Sequence, residues 1–302
     1  MQTPPARTVL VAGATGMLGQ HIVARLREDG HRIRTLSKDP IRAQSLAGLV
    51  DEVVIGDATN PETMADAMND VDAVISCLGA PMAFGWSDRR SFLEVDTVAN
   101  LNLVDAARRA GVRRFVYVSL LLHGNWAGTA YARAHEMVVD GLRDSGIPYA
   151  IVRPTGIFPV FDPFIPMARR GFACTPGDGR ARTNPVHPRE VAEVCVAALS
   201  GTTNARIPLG GPETLTREDI VRLAFSAVGR KPRILHIPRW MLLAVARVIR
   251  PIHPRLAEVT DFSARALTHD FLAPSTGSHR LADHFNAAAA AASDRAIGQV
   301  AS

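Results

Sequence analysis

Only two of the 34 basic residues in this chain are lysines, Lys38 and Lys231; the rest are arginines. Cysteine is nearly as scarce. Cys77, Cys174 and Cys195 are scattered and odd in number, which argues against a disulfide framework or a cysteine-ligated zinc site. No apolar run reaches the ~18 residues that a membrane span needs. The best attempt, Trp240–Ile249, is interrupted by Arg247 and closes with Arg250-Pro251. The first residues lack a basic region followed by an apolar stretch and a cleavage site, so no secretory signal is read and a cytoplasmic protein is expected. The formal charge is +5, yet there is no basic block or aromatic-interleaved basic face of the kind that binds nucleic acid. No internal repeat is visible. What remains is a 302-residue chain of ordinary apolar content, long enough for one large α/β unit or a main domain with a smaller one.

Residues Thr8–Gly19, TVLVAGATGMLG, are the most informative segment present. Val9, Leu10 and Val11 form an apolar run without polar alternation, as in a strand covered on both faces. Gly13, Gly16 and Gly19 follow in G-x-x-G-x-x-G spacing, and Met17–Glu28 reads as a helix. One glycine suits the tight turn, one the close approach of backbone to a pyrophosphate, and one helix–strand packing. The helix N-terminus adds free N–H groups and partial positive charge. Gly13, Thr15, Gly16, Met17, Leu18 and Gly19 are therefore candidate dinucleotide contacts.

Strand and helix signals alternate from Thr8 to about Arg153, which predicts an α/β protein with a doubly wound, parallel, Rossmann-like sheet. Strands are predicted at Arg32–Ser37, Glu52–Ile55, Ala73–Ser76, Arg114–Val118 and Tyr149–Arg153, and helices at Val95–Ala110 and Tyr131–Ser145. Gly111 and Gly146 close the two helices. Beyond Pro154 the texture changes, and proline, glycine and aromatic residues make Pro154–Gly179 look loop-like. Residues 154–285 are predicted to form a smaller substrate-side or lid region interleaved with the 1–153 core. Its elements are helices at Val191–Ser200, Arg217–Val228, Met241–Ile249 and Leu256–Ala266, with strands at Ile207–Leu209 and Ile234–Ile237. The alanine-rich tail, 286–302, is expected to be flexible.

Seven segments in this order resemble one family: GATGMLG (Gly13–Gly19), GDATNP (Gly56–Pro61), GVRRFVYVS (Gly111–Ser119), YARAH (Tyr131–His135), SGIPYAIVRPTGIF (Ser145–Phe158), NPVHPREVA (Asn184–Ala192) and GGPETLTREDI (Gly210–Ile220). They are similar to the atypical, NmrA-like branch of the short-chain dehydrogenase/reductase superfamily across roughly residues 8–285. The resemblance implies an NAD(P)-binding Rossmann fold. It puts Asp57 and Ala58 at the adenine amine, Cys77, Leu78 and Gly79 beside the cofactor ribose, and Pro154, Thr155 and Gly156 beside the nicotinamide carboxamide. In that branch the position of Lys38 is commonly an arginine that meets a ribose 2′-phosphate. With Ser37 before it and Arg42 a helical turn further on, NADPH is the expected cofactor. Asp39 would repel that phosphate, and Pro40 is expected to turn its side chain away. No metal is expected.

Standard members of the superfamily use Ser, Tyr and Lys, the last two in a Y-x-x-x-K spacing that places them on one helix face. Here Ser119 and Tyr131 fit their places, but His135 stands at the lysine position and neither lysine lies nearby. The resemblance makes Tyr131 the proton donor and Ser119 the group that orients the substrate oxygen. His135 either favours phenolate as an imidazolium, relays a proton as a neutral ring, or is a plain helix-surface histidine. His123 is a second candidate donor or substrate contact, and His187 is read as organising a turn.

Met82, Phe84 and Trp86 follow the fourth strand, Trp126 the fifth, and Phe158, Phe161 and Phe164 the sixth. If these loops converge, they line an apolar pocket for a hydrophobic, aromatic or polyketide-like small molecule; if not, they seal an interdomain core. Three functions compete. The first is an NADPH-dependent reductase of ketoreductase type, as in atypical members that tailor aromatic polyketides in antibiotic biosynthesis. The second is a non-catalytic NADP(H) sensor, as in other NmrA-like proteins. The third is an accessory subunit docking to a membrane complex through Trp240–Arg250.

Overall fold

The computed structural model describes residues 6–79 and 89–300. In chain order the strands are β1 (Thr8–Ala12), β2 (Arg32–Ser37), β3 (Glu52–Ile55), β4 (Ala73–Ser76), β5 (Arg114–Val118), β6 (Tyr149–Pro154), β7 (Ala173–Pro176), β8 (Arg182–Thr183), β9 (Ala205–Leu209), β10 (Leu215–Thr216) and β11 (Ile234–Ile237). The helices are α1 (Met17–Glu28), α2 (Pro40–Gln44), α3 (Val98–Arg109), α4 (Ala130–Ser145), α5 (Phe164–Arg170), α6 (Pro188–Ala197), α7 (Arg217–Ala227), α8 (Arg239–Ile249), α9 (Pro254–Ala266) and α10 (Leu281–Val300).

Seven strands join in one sheet of order β3-β2-β1-β4-β5-β6-β9, parallel throughout. β1 is an interior strand between β2 and β4, and Val9 to Ala12 are fully buried. Leu10 and Ala12 pack on one face with residues of α3 and α4, while Val9 and Val11 pack on the other with α1 and α6. Helices on both sides explain why the strand reads as an unbroken apolar run. The chain order reverses between β1 and β4, opening a crevice at the strands' carboxyl ends, where sheets of this kind bind ligands. The fold is the Rossmann-like α/β sheet expected.

The chain beyond Pro154 first returns to the main sheet, with β9 on β6 and α6 against α1. A second core then forms around Phe158, Phe161, Phe225 and Phe285, drawn from the residues near α5, α7 and α10. β7 pairs in parallel with β11, and β8 in antiparallel with β10. α8 packs on α9, which in turn meets α4.

Three expectations differ from the structure. Pro154–Gly179 is not a loop: it carries α5 and β7, and β7 owes its existence to a partner strand far along the chain. The predicted helix Val95–Ala110 is a π-helical turn at Leu93–Thr97 followed by α3. The alanine-rich segment begins as part of α10, with Phe285 and Ala289 buried beside α7. Alanine is the strongest helix former, and a single buried face is enough to hold the tract.

Candidate cofactor and active site

The glycine turn separates cleanly into what the chain needs for itself and what it leaves open. Gly13 has φ +90°, and a Cβ there would lie 2.9 Å from the Cys77 carbonyl oxygen. At Gly19 a Cβ would come within 2.1 Å of the Gly13 carbonyl oxygen, so helix and strand could not pack. Gly16 is different. It caps α1 in an extended conformation, donates its N–H to the Gly13 carbonyl at 3.0 Å, and a Cβ would meet only that carbonyl oxygen at 3.2 Å. The fold asks little of Gly16, whereas a pyrophosphate above the helix N-terminus asks for open space there. Met17 is exposed, Thr15 and Leu18 are half-buried, and no acidic side chain lies in the first turn to oppose an anion. These residues fit a dinucleotide.

At the end of β2, Lys38 and Arg42 are both exposed. Asp39 is turned into α2, its carboxylate accepting from the N–H groups of Ile41 at 2.9 Å and Arg42 at 3.1 Å. Ser37 is buried and donates to the Asp39 carbonyl at 3.1 Å. Asp57, after β3, is half-buried. Burial raises its carboxyl, but bonds from the Thr59 N–H and hydroxyl and the nearby charges of Lys38 and Arg90 outweigh that and hold it below the usual range. Lys38 and Asp57 thus face the same edge. Ala58 is buried, its carbonyl accepting from the Asn102 amide at 2.9 Å.

Past β4, a residue not singled out from the sequence organises the backbone. Asn100 is fully buried on α3, bonded to the Ser76 hydroxyl at 2.6 Å and donating to the carbonyls of Leu78 at 3.1 Å and Asp96 at 2.8 Å. It fixes the path of Cys77, Leu78 and Gly79. The Cys77 thiol is pushed up to about 12 by burial, so it packs under the glycine turn as a neutral group. At the end of β6, Thr155 is buried and its hydroxyl donates to the Asn184 carbonyl at 2.6 Å. A Cβ on Gly156 would strike the Phe161 ring at 2.6 Å. Pro154 accepts from the Leu121 N–H at 3.2 Å, which ties the loops after β5 and β6 together.

The expected catalytic set divides differently. Tyr131 is half-buried at the start of α4, its ring edge-on to Phe92, Phe262 and His135 at 4.7, 4.9 and 4.8 Å between centroids. Burial, and then the charge of Asp96, push its phenol upward. His135 is buried, and its Nδ1 lies 2.7 Å from the hydroxyl of Tyr117 on β5. Burial and the Arg153 charge lower its pKa to about 3. The imidazolium reading of His135 is therefore corrected: the ring is neutral and committed to Tyr117, and it is no surface histidine. Its Nε2 has no hydrogen-bond partner among the described residues. Ser119 is buried just past the end of β5, anchored by its N–H to the Val152 carbonyl at 2.8 Å, and its hydroxyl likewise has no described partner.

The aromatic loops also need correcting. Trp126 is fully buried, its indole N–H donating to Leu121 at 3.2 Å and its ring edge-on to Phe271. Phe158 and Phe161 are buried in the second core. These three hold loops in place and do not line an open pocket. Phe164 is half-buried against that same core. His123 is exposed and stacked on Trp126 at 4.9 Å. His187 caps α6 in a reciprocal capping box with Glu190, as expected of a turn organiser. Met82, Phe84 and Trp86 lie outside the described residues. No group of metal-ligating side chains is found among the described residues.

Sheet, switch point and glycine turn define a dinucleotide-binding α/β protein. A family model described as NAD(P)H-binding matches residues 13–202, and the chain belongs to that family. Two relatives illustrate its range. One is the photosystem II assembly factor Ycf39 of Guillardia theta, 28% identical over 240 residues, covering 78% of this chain and 75% of that protein. The other is the (4-alkanoyl-5-oxo-2,5-dihydrofuran-3-yl)methyl phosphate reductase of Streptomyces griseus, 30% identical over 228 residues, covering 74% and 75%. Among solved structures, the chain shares the fold of an NADPH-dependent quinone oxidoreductase from Escherichia coli with NADPH bound. That match has a TM-score of 0.70 at 18% identity and covers 92% of this chain and 99% of that one. The chain is thus an NAD(P)H-binding protein of reductase-like kind. No helix among the described residues is long and apolar enough to cross a membrane.

Proposed function

We propose that this protein is an NADPH-dependent reductase that acts on a ketone or enone of a hydrophobic small molecule, without the usual Tyr–Lys pair. The observation that carries the reading is the Ser119 hydroxyl, buried at the carboxyl edge of the sheet with no partner among the described residues. An unpartnered buried hydroxyl costs about 1–3 kcal/mol, and a substrate oxygen would satisfy it. Tyr131 offers a second neutral donor at the same edge. The half-buried faces of Leu121, Leu122, Tyr131 and Phe262 supply apolar surface for a lipophilic, aromatic or polyketide-like body. Bound reduced nicotinamide would supply the hydride. NADPH is favoured over NADH by exposed Lys38 and Arg42 and by the turning of Asp39 into α2. The reductase from Streptomyces griseus supports the oxidoreductase reading.

The test follows NADPH oxidation by the purified protein with a panel of quinones, enones and aromatic ketones. Turnover with at least one, faster with NADPH than NADH, is expected. Tight NADPH binding with no turnover across the panel would overturn the enzyme reading. It would favour a second one, a non-catalytic NADP(H) sensor, for which the neutral His135 in place of a lysine speaks.

A further inference from the structure

Helix α8 shows its apolar side to solvent. Trp240 and Val248 are each 71% exposed, and Met241, Ala244 and Val245 are exposed with them. Trp240, Ala244 and Val248 fall at i, i+4 and i+8, so they form one row, with Met241 and Val245 in the row beside it. The small Ala244 leaves the larger Trp240 and Val248 as the projecting groups of their row. Ala246 is the one buried residue of the helix. Ile252, just past the helix end, extends the exposed apolar surface.

One flank of this stripe is strongly basic. A cleft of about 790 Å³ between the start of α4, α8 and α9 is lined by Arg133, Arg247, Arg250 and Arg265. Its single carboxylate, Asp261, is already held by Arg265 at 3.0 Å. Arg133 and Arg247 form no ion pair among the described residues, and the charge of Arg250 acts on the Glu258 carboxyl, which burial raises and that charge helps to lower. The charge bias extends along the chain: Ile220–Ala257 contains eight lysine or arginine residues and no aspartate or glutamate.

We infer that α8 and the arginine cleft form a docking surface for an anionic lipid bilayer, with the apolar stripe lying in the headgroup–acyl boundary and the arginines meeting lipid phosphates. Each half of the surface excludes a different alternative. Nucleic acid would satisfy the arginines but leave Trp240 and Val248 in water. A two-fold contact with a second copy would cover the stripe but bring identical basic clefts toward each other. An anionic bilayer, apolar within and negative at its surface, meets both demands. The helix, 11 residues and about 16 Å long, suits lying in the interface plane and is too short to span.

Co-sedimentation of the full-length protein with vesicles tests this, using phosphatidylcholine alone and phosphatidylcholine mixed with phosphatidylglycerol. The protein is expected to pellet with the mixed vesicles, to stay in solution with the neutral ones, and to be released by salt. Replacing Arg247 and Arg250 together by Gln should weaken partitioning roughly 30-fold, at about 1 kcal/mol per basic residue. Trp240→Ala with Val248→Ser should weaken it at least tenfold, and unchanged thermal unfolding of both variants would show that the fold is intact. Equal pelleting with neutral vesicles, no pelleting with either, or insensitivity to both variants would overturn the assignment. So would a dimer in solution that the Trp240→Ala, Val248→Ser variant dissociates without any vesicle binding by the parent chain.

Discussion

The hydroxyl of Tyr117 on β5 and Nδ1 of His135 on α4 lie 2.7 Å apart with both side chains buried, so the residue at the superfamily's lysine position is bonded into the core. The bond has a consequence for pH. In the unfolded chain this imidazole takes up a proton near pH 6.5, but in the fold burial and Arg153 hold it neutral down to about 3. Between those values the unfolded chain binds a proton that the folded chain refuses. Stability is therefore complete above pH 6.5 and falls as pH drops, by about 1.4 kcal/mol per unit from this group. Urea unfolding at about pH 7.5 and about pH 5.5 should show that loss, and His135→Gln should reduce it. Tyr117→Phe leaves Nδ1 without its partner and should cost about 1–3 kcal/mol at neutral pH.

The glycine turn predicts two contrasting variants. Gly19→Ala should be strongly destabilised, because its Cβ would sit 2.1 Å from a backbone oxygen that cannot move away without separating α1 from β1. Gly16→Val should fold, since only one backbone atom lies within contact range at 3.2 Å. It should nevertheless lose NADPH, because the side chain would stand in the space above the helix N-terminus. Thermal unfolding combined with calorimetric titration separates the two outcomes.

The proposed preference for NADPH rests on Lys38. A charge-assisted contact to a 2′-phosphate is worth on the order of 1.5–3 kcal/mol. Lys38→Ala should therefore weaken NADPH binding by roughly 10- to 100-fold and leave NADH nearly unchanged. Asp39→Ala should not improve NADPH binding comparably, because its carboxylate is occupied by the α2 N–H groups and its loss weakens the cap. Titration calorimetry with both cofactors measures each effect.

The Rossmann half was legible because its constraints are local: a β-branched run, a glycine turn and a helix within the span of Thr8 to Glu28. The bounds of β2, β3, β4, β5 and α1 follow from the same short-range alternation. What sequence could not show depends on distant partners. Trp126 reads as a loop aromatic until Phe271 closes over its ring. β7 has no strand signature until β11 lies beside it. Asn100 lies within an amphipathic helix, and only the fold brings it to the Ser76 hydroxyl. The substitution of His135 for lysine was plain, but its commitment to Tyr117 was not, because the apolar run of β5 marks a side chain as buried without naming its bonding partner.

Proton delivery is where the proposed reductase should differ most from lysine-bearing relatives. With His135 neutral and the Tyr131 phenol raised by burial and by Asp96, no group among the described residues lowers its pKa toward neutrality. Tyr131 is then a hydrogen-bond donor to the substrate oxygen and a poor proton shuttle. A neutral hydrogen bond contributes about 0.5–1.5 kcal/mol, whereas general acid catalysis contributes about 10²–10⁴ in rate. Tyr131→Phe should accordingly lower turnover by roughly tenfold or less. Ser119→Ala, which removes the buried donor, should cost at least as much. Neither Tyr131 nor His135 changes charge near neutrality, so kcat should be flat from about pH 6.5 to about pH 9. Steady-state kinetics of the two variants on an accepted substrate, with a deuterated nicotinamide isotope effect to show that hydride transfer limits the rate, gives the measurement. A loss of about 10³ for Tyr131→Phe, or a basic limb in the profile that the mutation abolishes, would instead make Tyr131 a true general acid despite the missing lysine.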